Sequence, residues 1–347
     1  MALKRPAVLL LFVVIACLCS CTSSTKRKEL QRGIYYWKTN LRLGEYERQL
    51  LDTLKVERLY TRFFDVDISA DGKRARPNAI INFGQTLPHQ EIVPVVFITP
   101  RAMEVMPRGE LSFYAKEISQ LLAQLCASRD LEPEEIQIDF DWTASNKAKY
   151  FELLQLLRAQ AFFAHKRLSV TIRLHQVKYM LQAGIPPADK GLLMVYNMEP
   201  LTDFKVENSI IRKETVAKYL QNIEAYPLQL DIALPIFSWT LLFEGEKLKG
   251  IMRNLQPSSL KDTALFSPIG NNRFQVRKDS IWNGYRLSTR SVLRHEESDI
   301  QVLNAVVKFL SPKIKTDSLT LILYHCDSVN FSKYHIHEFE KIYTDFR

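Results

Sequence analysis

The chain has 347 residues, with 47 Lys and Arg against 38 Asp and Glu, a formal net charge of +9 and 46% hydrophobic residues. The basic excess is mild and dispersed, and no basic stripe with interleaved aromatics occurs, which excludes a nucleic-acid binder while suiting anionic lipid heads or an acidic glycan. Once an N-terminal signal is set aside, about 315 residues remain, enough for one large domain or two small ones.

The first twenty residues read as a signal peptide. Lys4 and Arg5 form its charged start, and Ala7 to Ala16 form an apolar segment too short to span a bilayer. Leu18-Cys19-Ser20-Cys21 resembles the bacterial lipobox, which implies cleavage before Cys21 and its acylation, with an ordinary secretory signal as the alternative. Loss of Lys4 and Arg5 takes the net charge from +9 to +7. Two or three acyl chains anchor stably, where one is marginal. Residues 21–32 are polar and basic and read as a tether between lipid and domain. The lipoprotein resemblance also implies an address. No Asp follows Cys21, against retention at an inner membrane, and no acidic run follows it, against export to the surface. The expectation is an outer membrane, on its periplasmic side. Of the five cysteines, only Cys126 and Cys326 remain beyond the signal and the lipidated residue. They are expected as buried thiols, with a bridge as the alternative.

From residue 33 to 347, short apolar runs alternate with helical periods. Eight strand runs stand out: Gly33–Trp37, Arg58–Asp65, Ile92–Thr99, Ile136–Trp142, Leu168–Arg173, Gly191–Asn197, Leu228–Phe237 and Ser318–Tyr324. Helices are expected at Gly44–Leu54, Glu110–Ser128, Asn146–His165, Gln176–Ala183, Lys213–Ala225 and Ser298–Leu310. In the third of these, Tyr150, Leu153, Leu154, Leu157 and Ala161 form one stripe. Eight such units point to an α/β fold, a (β/α)8 TIM-type barrel. A doubly wound open sheet is the alternative, but the glycine-rich first turn of a dinucleotide fold is missing. After the seventh strand the rhythm breaks. Residues 240–297 read as a small β-rich insertion, with Arg273–Arg277 and Tyr285–Thr289 alternating like strands around a turn, on the face where barrels keep their functional loops.

The fourth strand carries the strongest chemical signal, Ile136-Gln-Ile-Asp-Phe-Asp-Trp-Thr143. By strand alternation Asp139, Asp141 and Thr143 share a face, the two carboxylates about 7 Å apart, close enough to shift each other's pKa. Such a pair in a core calls for partners or a function.

Three segments together resemble the chitinase-type glycoside hydrolases of family 18. That family's fourth strand reads Asp-Gly-x-Asp-x-Asp-x-Glu, and Asp139 and Asp141 fall on its second and third aspartates. Its sixth strand carries Met-x-Tyr-Asp, matched by Met194-Val195-Tyr196-Asn197, and its seventh resembles Ala233-Leu234-Pro235-Ile236-Phe237. It also often inserts a small α+β unit after strand seven. The resemblance implies that Asp141 and Tyr196 hold a substrate's acetamido group. It fails at the general acid, where the family's glutamate is replaced by Thr143, which cannot protonate a leaving group at neutral pH. The strand-six aspartate is replaced by Asn197.

Glycosidases of most kinds need two carboxylates, so a relocated acid is sought at other strand ends. Asp65 and Asp67 close strand two, Glu199 follows strand six and Asp327 follows strand eight. Asp65 opposite Asp139 or Asp141 is the candidate pair across the mouth. Tyr35, Tyr36, Trp37, Trp142 and Trp239 offer flat faces for pyranose rings, and Arg62, Arg173, His175 and His325 offer donors for hydroxyls or a carboxylate. Arg294-His295-Glu296-Glu297 reads as a solvated or ion-paired edge. No HExxH, nucleophile elbow, P-loop or CxxC pair occurs, and no cofactor or metal is expected. The expected partners are a glycan and, through the lipid, a membrane. Three functions remain: a glycan hydrolase with a relocated acid, a lapsed barrel that binds a glycan or another envelope component, and a structural or assembly lipoprotein.

Overall fold

The computed structural model describes residues 29–253 and 255–346. The expected signal segment, the expected lipidation site Cys21 and most of the expected tether lie outside the described residues.

Eight parallel strands form the barrel: β1 (Glu29–Tyr36), β2 (Arg58–Ile68), β3 (Glu91–Ile98), β4 (Glu135–Asp139), β5 (Arg167–Arg173), β6 (Lys190–Met194), β7 (Leu230–Pro235) and β8 (Ser318–Tyr324). They follow one another around the ring, which closes because β1 pairs with both β2 and β8. Each expected strand is present. The first begins at Glu29, so residues 29–32, expected as tether, pair with Ser318–Leu321 instead. At the closing seam Gly33 has no room for a side chain, since a Cβ there would lie 2.8 Å from Ile322 Cγ1.

Helices cover the outside: α1 (Glu45–Thr53), α2 (Leu111–Ala127), α3 (Lys147–Arg158), α4 (Leu174–Lys178), α5 (Lys213–Leu220), α6 (Ile300–Leu310) and α7 (Ile336–Asp345). In α3 Tyr150, Leu153, Leu154 and Leu157 are buried, as their spacing predicts. The helix stops at Arg158, short of the expected His165. Ala161 falls instead in a following 3-10 turn, and the segment ends at His165 in a left-handed conformation. After β2 the chain makes no helix; Ala75–Asn78 folds back as an antiparallel strand on β2. Cys126 and Cys326 are buried free thiols.

The insertion starts at Ser238. It forms a five-stranded antiparallel sheet in the order Lys247–Arg253, Ser238–Glu244, Ser291–Glu297, Arg273–Val276, Phe266–Gly270. Leu242, Met252, Leu260, Phe266 and Leu293 belong to its own small core. Arg273–Val276 and Tyr285–Leu287 are both strands, but they do not pair. The first joins the five-stranded sheet, and the second makes a separate hairpin with Ser280–Trp282. Alternation marks a strand without naming its neighbour.

The floor of the barrel is charged. Arg58 on β2 lies 3.0 Å from Glu135 on β4, and Lys190 on β6 lies 2.8 Å from Glu135 and 2.6 Å from Asp231 on β7. Asp231 also accepts the Thr320 N–H at 2.7 Å. All four side chains are buried, and two cations balance two anions. Removing one partner leaves an uncompensated buried charge. Lys190→Met is therefore expected to lower stability by about 3–5 kcal/mol in urea unfolding, with part of the loss recovered by adding Asp231→Asn.

Candidate functional site

The carboxyl-terminal ends of the barrel strands open into two adjoining hollows. One, of about 270 Å³, is lined by Asp141, Arg173, His175, Tyr196, Asn197 and Tyr219 among others. The other, of about 330 Å³, lies between the barrel and the insertion, with Trp37, Lys38, Trp239, Arg253, Tyr324 and His325 in its wall. Asn197 lines both. Its left-handed φ of 52° and its N–H bond to the Ile210 carbonyl at 2.9 Å set the turn after β6.

The two aspartates of the fourth strand have different surroundings. β4 ends at Asp139, so strand alternation does not extend to Asp141 and Thr143. Asp139 is 3% exposed and accepts the Thr171 hydroxyl at 2.6 Å. Burial pushes its carboxyl up to about 6. Arg173 and the Thr171 bond pull it down, while Asp141 and Asp65 add smaller upward pushes. The Asp141 side chain, 46% exposed, is ion-paired with Arg173 Nε. Asp65 is held near Arg62, at 3.6 Å, and burial raises its pKa. One of its oxygens is buried with no hydrogen-bond partner among the described residues. Of Asp65, Asp139 and Asp141, which influence one another electrostatically, only Asp141 lines a hollow, and Asp327 lines the other.

Thr143 does not take the place of a catalytic wall residue. It is exposed, its hydroxyl lies 2.8 Å from Ser145 Oγ, and its carbonyl accepts the Lys147 N–H as α3 begins. Trp142 is likewise withdrawn from the mouth. It is buried against Tyr150 in a stacked pair and donates its indole N–H to the Ala183 carbonyl at 2.9 Å. Tyr36 points into the outer packing, where its hydroxyl bonds the backbone of Asn40 and Arg42. Thr143 and Trp142 lie past the end of their strand, where the turn sets the side chain's direction, whereas Tyr36 is still paired in β1 and points outward by alternation with the inward Tyr35.

The other expected residues do meet at the mouth. Trp37 packs edge-on to Tyr35 and Phe97, with the Arg62 guanidinium 5.8 Å from its ring. Tyr196 and Tyr324 stack at 5.1 Å, and Phe237 links Tyr324 to Trp239. Among the described residues the Tyr196 hydroxyl is buried without a partner, as is His325 Nδ1. Burial lowers the His325 pKa to about 4, so its ring is neutral at physiological pH. Burial likewise lowers that of His175.

The insertion is clamped to the rim by a buried ion pair that reads from sequence as a solvated or ion-paired edge. Arg294 Nε lies 2.6 Å from Glu296, and neither side chain is exposed. Glu296 also accepts the Trp239 indole at 2.8 Å and the Ser209 N–H at 2.9 Å, while Arg294 reaches the Asp203 carbonyl at 2.7 Å. Of the other candidates, Glu199 is tied to Thr215 at 2.6 Å, Asp67 to Thr99 at 2.7 Å, and Asp327 to Lys38 at 2.9 Å. Sequence reasoning missed Lys38, Arg253 and Lys333. Arg253 lies on an insertion strand and only tertiary packing brings it to the mouth. Lys333 bonds Ser238 Oγ at 2.5 Å, and burial lowers its pKa to about 8.

No protein-family model matches this chain, and no curated protein matches it by sequence. Solved structures share its fold. The spore cortex-lytic enzyme SleL of Bacillus cereus has a TM-score of 0.54 and 13% identity, over 92% of this chain and 75% of that one. A group IV chitinase of Ostrinia furnacalis, in complex with allosamidin, has a TM-score of 0.53 and 11% identity, over 91% and 98%. A class V chitinase of Nicotiana tobaccum, in complex with NAG4, has a TM-score of 0.51 and 12% identity, over 91% and 98%. At such identities the likeness establishes the fold alone, a (β/α)8 barrel that this chain shares with these enzymes.

The Asp139 environment has a pH consequence. Its folded pKa lies above the unfolded value of about 4, so its ionised form favours unfolding. Its contribution is fully present below pH about 4 and is lost as pH rises through about 6. Asp139→Asn removes that loss. In melts from pH 4 to 8 the variant is expected to gain on the parent as pH rises, by about 2 kcal/mol at pH 8. A difference that stays flat across this range would mean that Asp139 does not hold its proton there.

Proposed function

We propose that this chain is a lipid-anchored protein of the bacterial envelope, on the periplasmic side of an outer membrane, whose barrel mouth binds a glycan without hydrolysing it. The observation that carries the reading is the state of the mouth carboxylates. Asp141 alone lines a hollow in the region of the acidic strand, and its charge is taken up by Arg173. The position that would supply a proton donor holds Thr143, in the exposed turn that leads into α3. A glycosidase of the common kind needs an acid and a second carboxylate flanking the bond.

Binding has more support. Trp37, Phe237, Trp239 and Tyr324 line one hollow, Tyr196 lines the other, and polar groups rim both. Flat aromatic faces with a few placed donors are what a sugar ring requires. The insertion borders the larger hollow without filling it, which weighs against a purely structural lipoprotein. The family 18-like fold, shared with a chitinase solved in complex with NAG4, makes a glycan the natural ligand. The envelope address rests on the lipobox-like Leu18-Cys19-Ser20-Cys21.

A second reading, hydrolysis with a relocated acid, is favoured by one observation: Asp139 carries its proton up to about pH 6, and burial also raises the pKa of Asp65. The two separate in a panel of cell-wall and host glycans tested for binding and turnover, with the chain from Lys26 beside Asp141→Asn. Binding without turnover, weakened about tenfold or more by the substitution through loss of a charged hydrogen-bond group, is expected. Turnover abolished by Asp141→Asn would make the chain a hydrolase. Silence on every glycan, with both proteins folded, would leave the assembly role.

A further inference from the structure

The cations around the mouth are unequally committed. Arg173 is paired with Asp141, and Arg62 lies 3.6 Å from Asp65. Lys38 lies 2.9 Å from Asp327 and 3.4 Å from Glu47. Lys333 donates to Ser238. Arg253 differs: among the described residues no carboxylate lies within 4.0 Å of its guanidinium and no hydrogen bond engages it, and the residue is exposed where it lines the larger hollow.

Its placement is specific. In the insertion sheet Arg253 stands directly opposite Trp239, so the two side chains project from the same face of the sheet, side by side. Trp239 is fixed by its indole bond to the buried Glu296, and both residues line the hollow. His325 also lines the hollow, and its Nδ1 is buried without a partner among the described residues. The hollow thus offers an aromatic face and an adjacent unpaired guanidinium. A guanidinium presents a planar fork of donors that matches a carboxylate or a sulfate ester. A neutral sugar would leave that fork to water.

We infer that the glycan taken by this mouth is acidic, and that Arg253 is the residue that selects it by binding an anionic group on a sugar ring seated beside Trp239. The inference rests on the glycan-binding reading above and names its ligand class. Asp141 and Arg173 neutralise each other in the adjoining hollow, so that end tolerates an uncharged residue, and alternating neutral and acidic units suit the pair of hollows.

The test compares matched sugars on the full-length protein. The probes are a tetrasaccharide of alternating N-acetylglucosamine and glucuronate, the same tetrasaccharide with its carboxyl groups reduced to alcohols, a sulfated counterpart of the reduced form, and neutral chitotetraose. The parent is expected to bind the carboxylated or the sulfated probe about tenfold or more tightly than the reduced one. Whichever of the two binds identifies the anionic group. Arg253→Gln is expected to erase that preference, bringing the charged and the reduced probes to the same affinity, while Arg253→Lys restores part of it. The residue is exposed, so the substitution leaves the core intact. Equal affinity for charged and reduced probes, or a preference that survives Arg253→Gln, overturns the inference while leaving glycan binding standing. No binding of any of the four overturns both.

Discussion

Arg58, Glu135, Lys190 and Asp231 meet at the floor of the barrel, and the rest of the interior is built on them. A closed barrel of eight strands has an inside that side chains must fill, and here the lowest layer is filled with ions. One comes from each of β2, β4, β6 and β7, and their charges sum to zero. A slip of one residue in any of these strands would turn its charge outward to the helix layer and away from these partners. The ladder register and the ion cluster therefore enforce each other. Above the floor the polar filling continues, with Tyr35 bonded to Gln137 and Gln137 near Ser169 at 3.4 Å. It ends at Asp139 with Thr171.

That polar column explains how a carboxyl group comes to sit, nearly solvent-free, just under a ligand site. Asp139 is the top of the barrel filling as much as the base of the mouth. Its raised pKa follows first from burial, and Arg173 moderates it. The same arginine takes up the charge of Asp141, so one cation governs both aspartates of the fourth strand. The mouth is left with aromatic surface, partly spent charges and one uncommitted guanidinium on the insertion. An enzyme that protonates a leaving group needs a carboxyl both protonated and within reach. Here the carboxyl that holds its proton up to about pH 6 is covered, and the two that line the hollows, Asp141 and Asp327, are ion-paired.

The insertion converts a bare barrel rim into a cleft. Its position depends on Glu296, which bonds Trp239, Ser209 and Arg294 at once. Burying that ion pair is costly unless each lone pair and proton finds a partner, and the carbonyls of the 201–204 turn supply the remainder. The clamp thus joins the turn after β6 to the insertion sheet and aims Trp239 at the hollow.

Much of this was legible in the residues alone. Eight apolar runs at regular spacing, alternating with helical stripes, determined the barrel, because the strand and helix periods and the connection lengths admit few other closures. The acidic fourth strand, Trp37, Arg173, Tyr196, Asn197, Trp239 and His325 were readable as a mouth, because residues at the carboxyl-terminal ends of barrel strands converge. Tertiary structure decided what spacing cannot express. Past the last paired residue of a strand, alternation stops, so Asp141 separates from Asp139, Trp142 turns into the helix layer and Thr143 enters the exposed turn before α3. Which strands of the insertion pair, and hence that Arg253 stands beside Trp239, depends on contacts between segments far apart in the chain. Whether a charge is free or spent depends on the partner that folding brings to it, and a linear pattern carries no record of that partner.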